Sequence, residues 1–500
     1  MTRLVPTRLA STGTVTPSRI AEVVGELRTR PAYAGLAEAL RLAIGDGRLP
    51  AGVRLPSERD LAELLGLSRT TVTRAYASLR DDGYAHAHQG AGTFTRIPGG
   101  RARTWDRALT TRVGDDAAID LNCAASSALP GLAGAYQAAV AELPAYLSGH
   151  GYYPAGLPEL QQRLADGYRR RGLATDPAQV FLTVGALTAA AIAARVLVRP
   201  GDRVLVEVPG YPNAAQAFKA AGARLVPVPV DAGGWDLDLV ESTLRRLRPS
   251  AAYLGPDFHN PTGALMDDAD RRRIARALAG AGTVAVVDEV HQALALDGRP
   301  MPRPLAAHVA EAGGRSITVS GASKMLWGGL RLGWARVDAD LVDSFGESRL
   351  TVDLGAPVVE QLALTHLLDD LDHHLAIHRA RLREQRDALA GALRDRLPDW
   401  DVAAPEGGLW LWSRLPRPLA AAVADEAELR GLAVAPGPMF APEGGLASWL
   451  RTPYTRSVPE LLRAADILAD AWTAAQRQPR AATGSRPTHI RARTERAVVA

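Results

Sequence analysis

Apolar residues in the first hundred positions recur at helical spacing in short runs. Ile20, Val23, Val24 and Leu27 share one side of a helix over Ser18–Leu27, which reads as a docking helix. Leu36, Ala39, Leu40 and Ile44 mark a second helix that starts near Ala32 and stops at Gly45-Asp46-Gly47, where glycine ends helices at little cost. Ser57 caps a third, with Leu61, Leu64 and Leu65 inside and Asp60 placed to complete a capping box. After the tight turn Gly66-Leu67, Ser68 caps a fourth helix whose Val72, Ala75, Tyr76 and Leu79 must face a core. Arg69, Thr70, Thr73 and Arg74 are thereby left outside near its start. Two helices about a tight turn, with basic and hydroxyl side chains at the exposed start of the second, form a helix-turn-helix. Tyr84 to Thr95 then reads as two short strands around Gln89-Gly90-Ala91-Gly92, a β-wing.

Periodicity lapses over 98–118, where Pro, Gly, Arg and Asp mix. This is a linker with a flexible span of roughly 25 Å. Beyond it, short β-branched runs alternate with helical patterns. The strands fall at Val180–Thr183, Arg203–Glu207, Arg224–Val228, Ala251–Leu254, Val284–Asp288 and Ser316–Ser320. The helices between them fall at Leu157–Arg171, Ala186–Val198, Pro212–Ala221, Asp236–Arg248 and Asp267–Ala281. Such alternation predicts an α/β domain around a mostly parallel sheet, with a smaller lobe from Leu341 to Trp472 about the strand Leu409–Trp412. The organisation expected is an extension with the docking helix (1–30), the winged helix (31–97), the linker (98–118), the body (119–478) and a disordered basic tail (479–500).

Charge sharpens that division. Residues 1–103 hold 15 Arg, no Lys and 9 acidic residues, whereas the whole chain carries only +4. A basic head on a mildly acidic body points to a nucleic-acid module joined to something else. Cys123 is the one cysteine, which excludes an internal disulfide and suits a reducing cytoplasm. No His spacing suggests a metal site, and no run reaches the roughly 18 apolar residues of a membrane helix. A cytoplasmic protein is expected.

Lysine usage singles out one stretch. Only Lys219 and Lys324 occur among 58 basic residues, so plain positive charge is supplied by Arg. Lys324 therefore suggests an amine that can lose its proton and attack a carbonyl, although a surface Lys beside a glycine turn reads equally well from Ser320–Gly333 alone. Other strand ends carry candidates too. Gly185-Ala186-Leu187 opens a helix whose amides suit a phosphate. Tyr211 offers a ring to stack on a flat cofactor, or simply packs. Asn260 before Pro261 presents an amide rigidly, and Asp288 ends an apolar strand where it needs a cationic partner such as a protonated pyridine nitrogen.

In the head, Leu55-Pro56-Ser57-Glu58-Arg59, Leu64-Leu65-Gly66-Leu67-Ser68-Arg69-Thr70-Thr71-Val72 and Gly90-Ala91-Gly92-Thr93-Phe94 resemble the winged helix of GntR-type regulators. That resemblance implies binding to double-stranded DNA, with Arg59, Arg69, Thr70, Thr71 and Thr73 facing the duplex beside Arg74, and the Gln89-Gly90 tip in the minor groove. The body resembles fold-type I aminotransferases that use pyridoxal 5′-phosphate (PLP). By that resemblance Lys324 is the Schiff-base lysine, Asp288 faces the pyridine nitrogen, Asn260 the ring hydroxyl and Tyr211 the ring face. Gly185, Ala186 and Leu187 with Ser323 and Arg331 would hold the phosphate, and Arg451 the carboxylate of an amino effector.

Three positions depart from the aminotransferase pattern. His291 stands where a tyrosine usually bonds the ring hydroxyl, Gly321 replaces a phosphate-binding Ser, and Arg331 lies seven residues beyond Lys324. A GntR-type head on an aminotransferase-like body is similar to the MocR subfamily of regulators. It implies a homodimer that senses an amino compound or a vitamin B6 form, with weak turnover at most. A working aminotransferase with a DNA-binding head, and a DNA-binding protein with a cofactor-free body, are the rival expectations.

Overall fold

The computed structural model describes residues 15–88, 91–96 and 119–477, apart from 26, 28–29, 46–47, 50–51 and 442. The expected linker and basic tail, and the wing tip Gln89-Gly90, lie outside the described residues, as do Asp46 and Gly47 of the expected helix stop.

The head comprises α1 (Pro17–Val24), α2 (Ala32–Gly45), α3 (Glu58–Leu65), α4 (Arg69–Asp81) and the strands β1 (Ala85–His88) and β2 (Gly92–Thr95). Thr16 caps α1 by accepting from the Arg19 N–H, and Gly25 at φ 61 ends it before Leu27. Ser57 Oγ accepts from the Asp60 N–H, but Asp60, a methylene shorter than Glu, does not complete the expected capping box. Gly66 at φ 63 ends α3, and Ser68 Oγ then accepts from the Thr71 N–H to start α4. Ile20, Leu36, Leu40, Leu61, Val72, Tyr76 and Leu79 close one core, so α1 packs as part of the head. Leu64, expected inside, is 47% exposed; Ala62 takes the inward place. β1 and β2 pair antiparallel with Ala85 opposite Thr95, which makes the wing.

In the body, β3 (Ile119–Asp120), α5 (Leu132–Glu142) and α6 (Pro158–Arg170) lead into β4 (Val180–Thr183), α7 (Ala186–Leu197), β5 (Arg203–Val208) and α8 (Pro212–Ala220). Then follow β6 (Arg224–Asp231), β7 (Gly234–Trp235), α9 (Leu237–Leu247), β8 (Ala251–Leu254), α10 (Asp268–Ala281) and β9 (Val284–Asp288). α11 (Leu305–Glu311), β10 (Ser316–Gly321), α12 (Ala322–Met325) and β11 (Gly333–Val337) complete the sheet region. The eight strands lie in the order β4-β11-β10-β9-β8-β5-β6-β7. All six expected strands are present and run parallel, but β11 lies antiparallel between β10 and β4, and β7 folds back on β6. Both additions went unread: β7 is two residues long, and β11 carries Arg336, buried only because it pairs with Asp338. Alternate residues serve opposite faces. Val284 and Val286 pack with α7 and α8, whereas Ala285 and Val287 pack with α9 and α10, as a sheet covered on both sides requires.

The second lobe begins later than the expected Leu341: α13 (Val342–Leu350) packs on α7 and α14 (Val358–Asp369) on α5 and α6, and the lobe itself is built from the long α15 (Leu371–Arg396), α16 (Ala420–Glu428) and α17 (Val458–Arg477). Its small sheet is β12 (Trp410–Arg414), β15 (Trp449–Pro453) and β14 (Ala435–Pro436), in that order, while β13 (Leu432–Ala433) pairs with β3.

Gly333 sets the close approach of β11 to the turn between β4 and α7. A Cβ there would lie 2.4 Å from both the Ala186 nitrogen and the Gly185 carbonyl carbon. Gly333→Ala should lower stability by roughly 1–3 kcal/mol, the usual cost of overpacking, read as a lower melting temperature beside a Gly391→Ala control.

Candidate functional site

The parallel strands end at a cavity of about 240 Å³, where open α/β sheets place ligands. Lys324, Ser323, Asp288, His291, Asn260, Tyr211, Gly185, Ala186, Leu187, Arg331 and Arg451 all line it.

Lys324 sits in the short α12 directly after β10. Its Nζ donates to the Ala124 carbonyl at 2.8 Å, and burial holds its pKa below the usual lysine value. The shift is toward the neutral amine, the form that can attack a carbonyl. Behind it, His378 Nε2 is 3.0 Å from the Lys324 carbonyl, and burial pushes that imidazole down to about 4.

Asp288 closes β9. Tyr253 donates its hydroxyl to one carboxylate oxygen, and the Val290 N–H donates to the other at 3.1 Å. Burial nevertheless raises the acid to about 6, because these bonds only partly offset the loss of water. No cation pairs with it among the described residues. Tyr211 opens α8 at the same wall, its hydroxyl pushed up to about 12 by burial and by the nearby Asp288 charge. His291 is 6% exposed, edge-on to Trp410 at 4.8 Å, and its Nε2 has no partner. Burial, then Lys324, keeps its pKa well below the ordinary value, so the ring is neutral.

At the opposite end, Gly185 at φ 99 turns the chain into α7, presenting the first amides of the helix with Ala186 and Leu187. Arg331, itself in the left-handed region at φ 50, donates to the Val184 carbonyl at 3.1 Å. A side chain at Gly185 would meet that guanidinium at 3.1 Å, so the glycine keeps the cup open.

Arg451 on β15 is 1% exposed. It donates to Asn260 Oδ1 at 3.2 Å and to the Asn122 carbonyl, and lies 4.8 Å from the Phe440 ring and 5.6 Å from that of Trp410. No carboxylate reaches it among the described residues, and burial lowers its pKa to about 10. A buried guanidinium bonded only to neutral acceptors calls for an anion.

Sequence reasoning missed several lining groups. Asn122 and Ala124 supply main-chain acceptors some two to three hundred positions from the side chains they bind, with Cys123 between them in the lining, and no local pattern announces them. Tyr253 and Trp410 read as ordinary strand apolars. Glu207 was findable: it is a buried acid in the apolar run of β5, as Asp288 is in β9, and accepts from Trp235 Nε1 at 2.6 Å.

In the head, Arg59, Arg69, Thr70 and Arg74 are exposed at the start of the helix-turn-helix. Thr71 bonds Ser68 through its hydroxyl. Thr73 is half-buried and donates to Glu58 at 2.7 Å, and Arg69 lies 3.8 Å from the same carboxylate. Arg74 is spread over the Tyr33 ring at 3.9 Å. Among the described residues no three His, Cys, Asp or Glu group as a metal site, and no helix is long and apolar enough to cross a membrane.

A cofactor-sized cavity at the strand ends of an aminotransferase-like body, beneath a winged-helix head, defines a PLP-dependent DNA-binding regulator. The comparisons agree. Residues 139–468 match the family model "Aminotransferase class I and II", and residues 32–95 match "Bacterial regulatory proteins, gntR family". The "Probable rhizopine catabolism regulatory protein MocR" of Rhizobium meliloti is 30% identical over 430 residues, 78% of this chain and 83% of that protein. The 2-aminoadipate transaminase of Thermus thermophilus is 32% identical over 270 residues, 53% of this chain and 68% of its own. LysN, the α-aminoadipate aminotransferase of Thermus thermophilus solved with N-(5′-phosphopyridoxyl)-L-leucine, superposes with a TM-score of 0.68 at 28% identity, covering 75% of this chain and 95% of that one. The chain belongs to the aminotransferase class I and II family and, with its gntR-family head, to the MocR type of regulator.

The pocket fits PLP on its own chemistry. A buried carboxylate lacking a cation, an amine biased to the neutral form, an unpartnered imidazole nitrogen and an open helix start beside Arg331 match the ring nitrogen, carbonyl, hydroxyl and phosphate of that molecule.

A pH test follows for protein stripped of cofactor. Asp288 is raised to about 6 in the fold, above its unfolded value, so its contribution is present in acid and lost as pH rises through about 6. Between about pH 4 and about pH 7, the stability of Asp288→Asn relative to the parent should improve by on the order of 2 kcal/mol. Taking this difference removes the opposite trends of His291 and His378. Parallel curves would show that Asp288 is not the strained acid.

Proposed function

We propose that the pocket is a sensor: it holds PLP and admits an amino compound whose carboxylate is gripped by Arg451, and its occupancy sets how the heads meet operator DNA. The observation that carries this is the buried, carboxylate-free Arg451 in the same cavity as Lys324 and Asp288.

PLP, when bound, supplies a carbonyl that combines with primary amines and a ring that draws electrons from the attached carbon. The chain's own groups do the rest. Lys324 offers the amine that anchors the cofactor, and burial keeps it able to attack. Asp288 would hold the protonated ring nitrogen, and Tyr211 would cover a ring face. Asn260 and His291 address the ring hydroxyl, the neutral imidazole replacing the phenol usual in aminotransferases. Arg331, Ser323 and the amides of Gly185, Ala186 and Leu187 receive the phosphate. In the head, Arg59, Arg69 and Thr70 face the duplex with Thr71, Thr73 and Arg74 beside them, and the Gln89-Gly90 stretch would meet the minor groove. Glu58 braces Arg69 and Thr73.

A homodimer completes the reading. Val140, Leu147, Tyr152, Leu350 and Leu354 are 48–69% exposed on α5, α13 and their adjoining loops, an apolar surface suited to a second copy. The protein works in the cytoplasm, where both operator and PLP are available. A functioning aminotransferase is the second reading, favoured by the intact set of Lys324, Asp288 and Arg451. Turnover of an amino donor with a keto acid decides for it.

Lys324→Ala should abolish the visible absorbance of the reconstituted protein. Arg451→Ala should retain it and weaken the spectral response to L-alanine, L-leucine or L-glutamate roughly 10- to 100-fold, the value of a charge-assisted hydrogen-bond pair. Arg69→Ala should leave the spectrum intact and cost roughly 1–3 kcal/mol in specific operator binding. An unchanged footprint would remove Arg69 from the recognition surface.

A further inference from the structure

The head touches the body at residues that adjoin the cavity lining. Arg19 on α1 lies 3.4 Å from Asp236, which caps α9. Beside Asp236, the Trp235 indole donates to Glu207 in the cavity wall. On the other side, the Leu446 N–H donates to the carbonyl of Gly45, the last residue of α2. Leu446 is buried at φ 60, a left-handed conformation that costs free energy in any residue with a Cβ. Its carbonyl presses on Gly437, where a Cβ would stand 2.2 Å away. A second cavity, of about 290 Å³, separates the two contacts, with Trp412 and Trp449 in its wall.

Those two indoles belong to the strands that serve the first cavity. On β12, Trp410 and Trp412 share a face; on β15, Trp449 and Arg451 do the same, since strand side chains repeat every second residue. Trp412 stands opposite Arg451 in the ladder. The Trp412 and Trp449 rings stack at 5.2 Å, and Phe440 lies 5.6 Å from Trp412 and 4.8 Å from the Arg451 guanidinium. The Trp449 N–H donates to the Leu446 carbonyl at 3.0 Å. A packed line therefore runs from Arg451 through Phe440, Trp412 and Trp449 to Leu446 and the head.

We propose that this head–body contact is the switch that reads the pocket: the head docks on Asp236, Leu446 and the Trp412–Trp449 pair while Arg451 is turned onto Asn122 and Asn260, and a carboxylate arriving at Arg451 releases it. The proposal rests on the amine-sensor reading above. Arg451 gives two of its five N–H donors to Asn122 and Asn260 and leaves Nε unpartnered, so a carboxylate that takes up the free donors draws the guanidinium toward itself. Phe440 lies against that guanidinium, and close-packed aromatic layers shift as units rather than deform. The strained Leu446 lowers the cost of leaving the docked state. Linkage makes the effect reciprocal: freeing the head must tighten amine binding by the same factor that the amine loosens the head.

Arg19→Glu in the full-length holoprotein tests this, with Arg19→Gln as a second variant should the new charge beside Glu22 disturb α1. Arg19 is outside the cofactor pocket, so the absorbance of bound PLP should be unchanged. Two readouts are expected to move. Amide exchange over 443–449, slow in the parent where Leu446 is bonded to Gly45, should quicken without any amine. The apparent affinity for whichever of L-alanine, L-leucine or L-glutamate shifts the parent spectrum should rise about 5- to 100-fold, the range of common allosteric couplings, and operator affinity should no longer respond to it. Parent-like exchange and parent-like titration in both variants would overturn the switch while leaving the sensor reading intact. Faster exchange in a protein whose parent spectrum answers to no amine would instead overturn the sensor reading, and the switch with it.

Discussion

The body is arranged around charges that it buries and does not neutralise. Most buried arginines of the chain are matched with carboxylates: Arg271 with Asp257 at 2.6 Å, Arg386 with Asp297 at 2.6 Å, Arg349 with Asp353 at 2.8 Å. At three groups of the main cavity this matching stops. Arg451 meets only neutral oxygens, Asp288 only a phenol and an amide, and Lys324 only a carbonyl. Withdrawal of water disfavours the charged form of each, which raises Asp288 and lowers Lys324 and Arg451. A rigid doubly covered sheet can hold such a set in place; a softer scaffold would relax by pairing Asp288 with Lys324. PLP and an amino acid together present a pyridinium, a carbonyl and a carboxylate, one complement for each.

That arrangement also bears on sensing against turnover. A phenol at the place of His291 donates to a ring oxygen, whereas a neutral imidazole donates or accepts according to its tautomer. The unpartnered Nε2, set edge-on to Trp410, leaves that choice to the bound molecule. Gly321 stands where a phosphate-binding Ser is usual, and Arg331 is held by a left-handed backbone and a bond to the Val184 carbonyl. Both features distinguish this pocket from the aminotransferase pattern at the ring hydroxyl and at the phosphate, the two places where the proposed sensor and a working transaminase would differ.

Much of this was legible in the residues because each signal had a local cause. Strand periodicity marked all six parallel strands, and Ser57, Ser68 and Gly66 marked the helix boundaries of the recognition motif. Lys324 stood out because a chain with 58 basic residues spends almost none on lysine. What stayed hidden depends on distance. The acceptors at Asn122 and Ala124 join the pocket only through tertiary folding, and β11 becomes a strand because β4 and β10 leave a gap between them. Leu64 and Asp60 were misjudged for a smaller reason: in a helix of eight residues, one turn of phase and one methylene decide which side chain reaches inward or backward.

The antiparallel insertion of β11 has a consequence in time. Residues 180–183 of β4 have no neighbour in the sheet until residues 333–337 exist, and β3 at 119–120 waits for β13 at 432–433. At ordinary rates of synthesis the first of these gaps lasts roughly 10 to 30 seconds. The head, whose core uses only residues 15–85, is complete long before. Each newly made chain thus owns a DNA-binding module before it owns a pocket: the cup around Gly185 and Gly333 waits for β11, and Arg451 for β15. The interval between the two is set by the order of strands in a sheet.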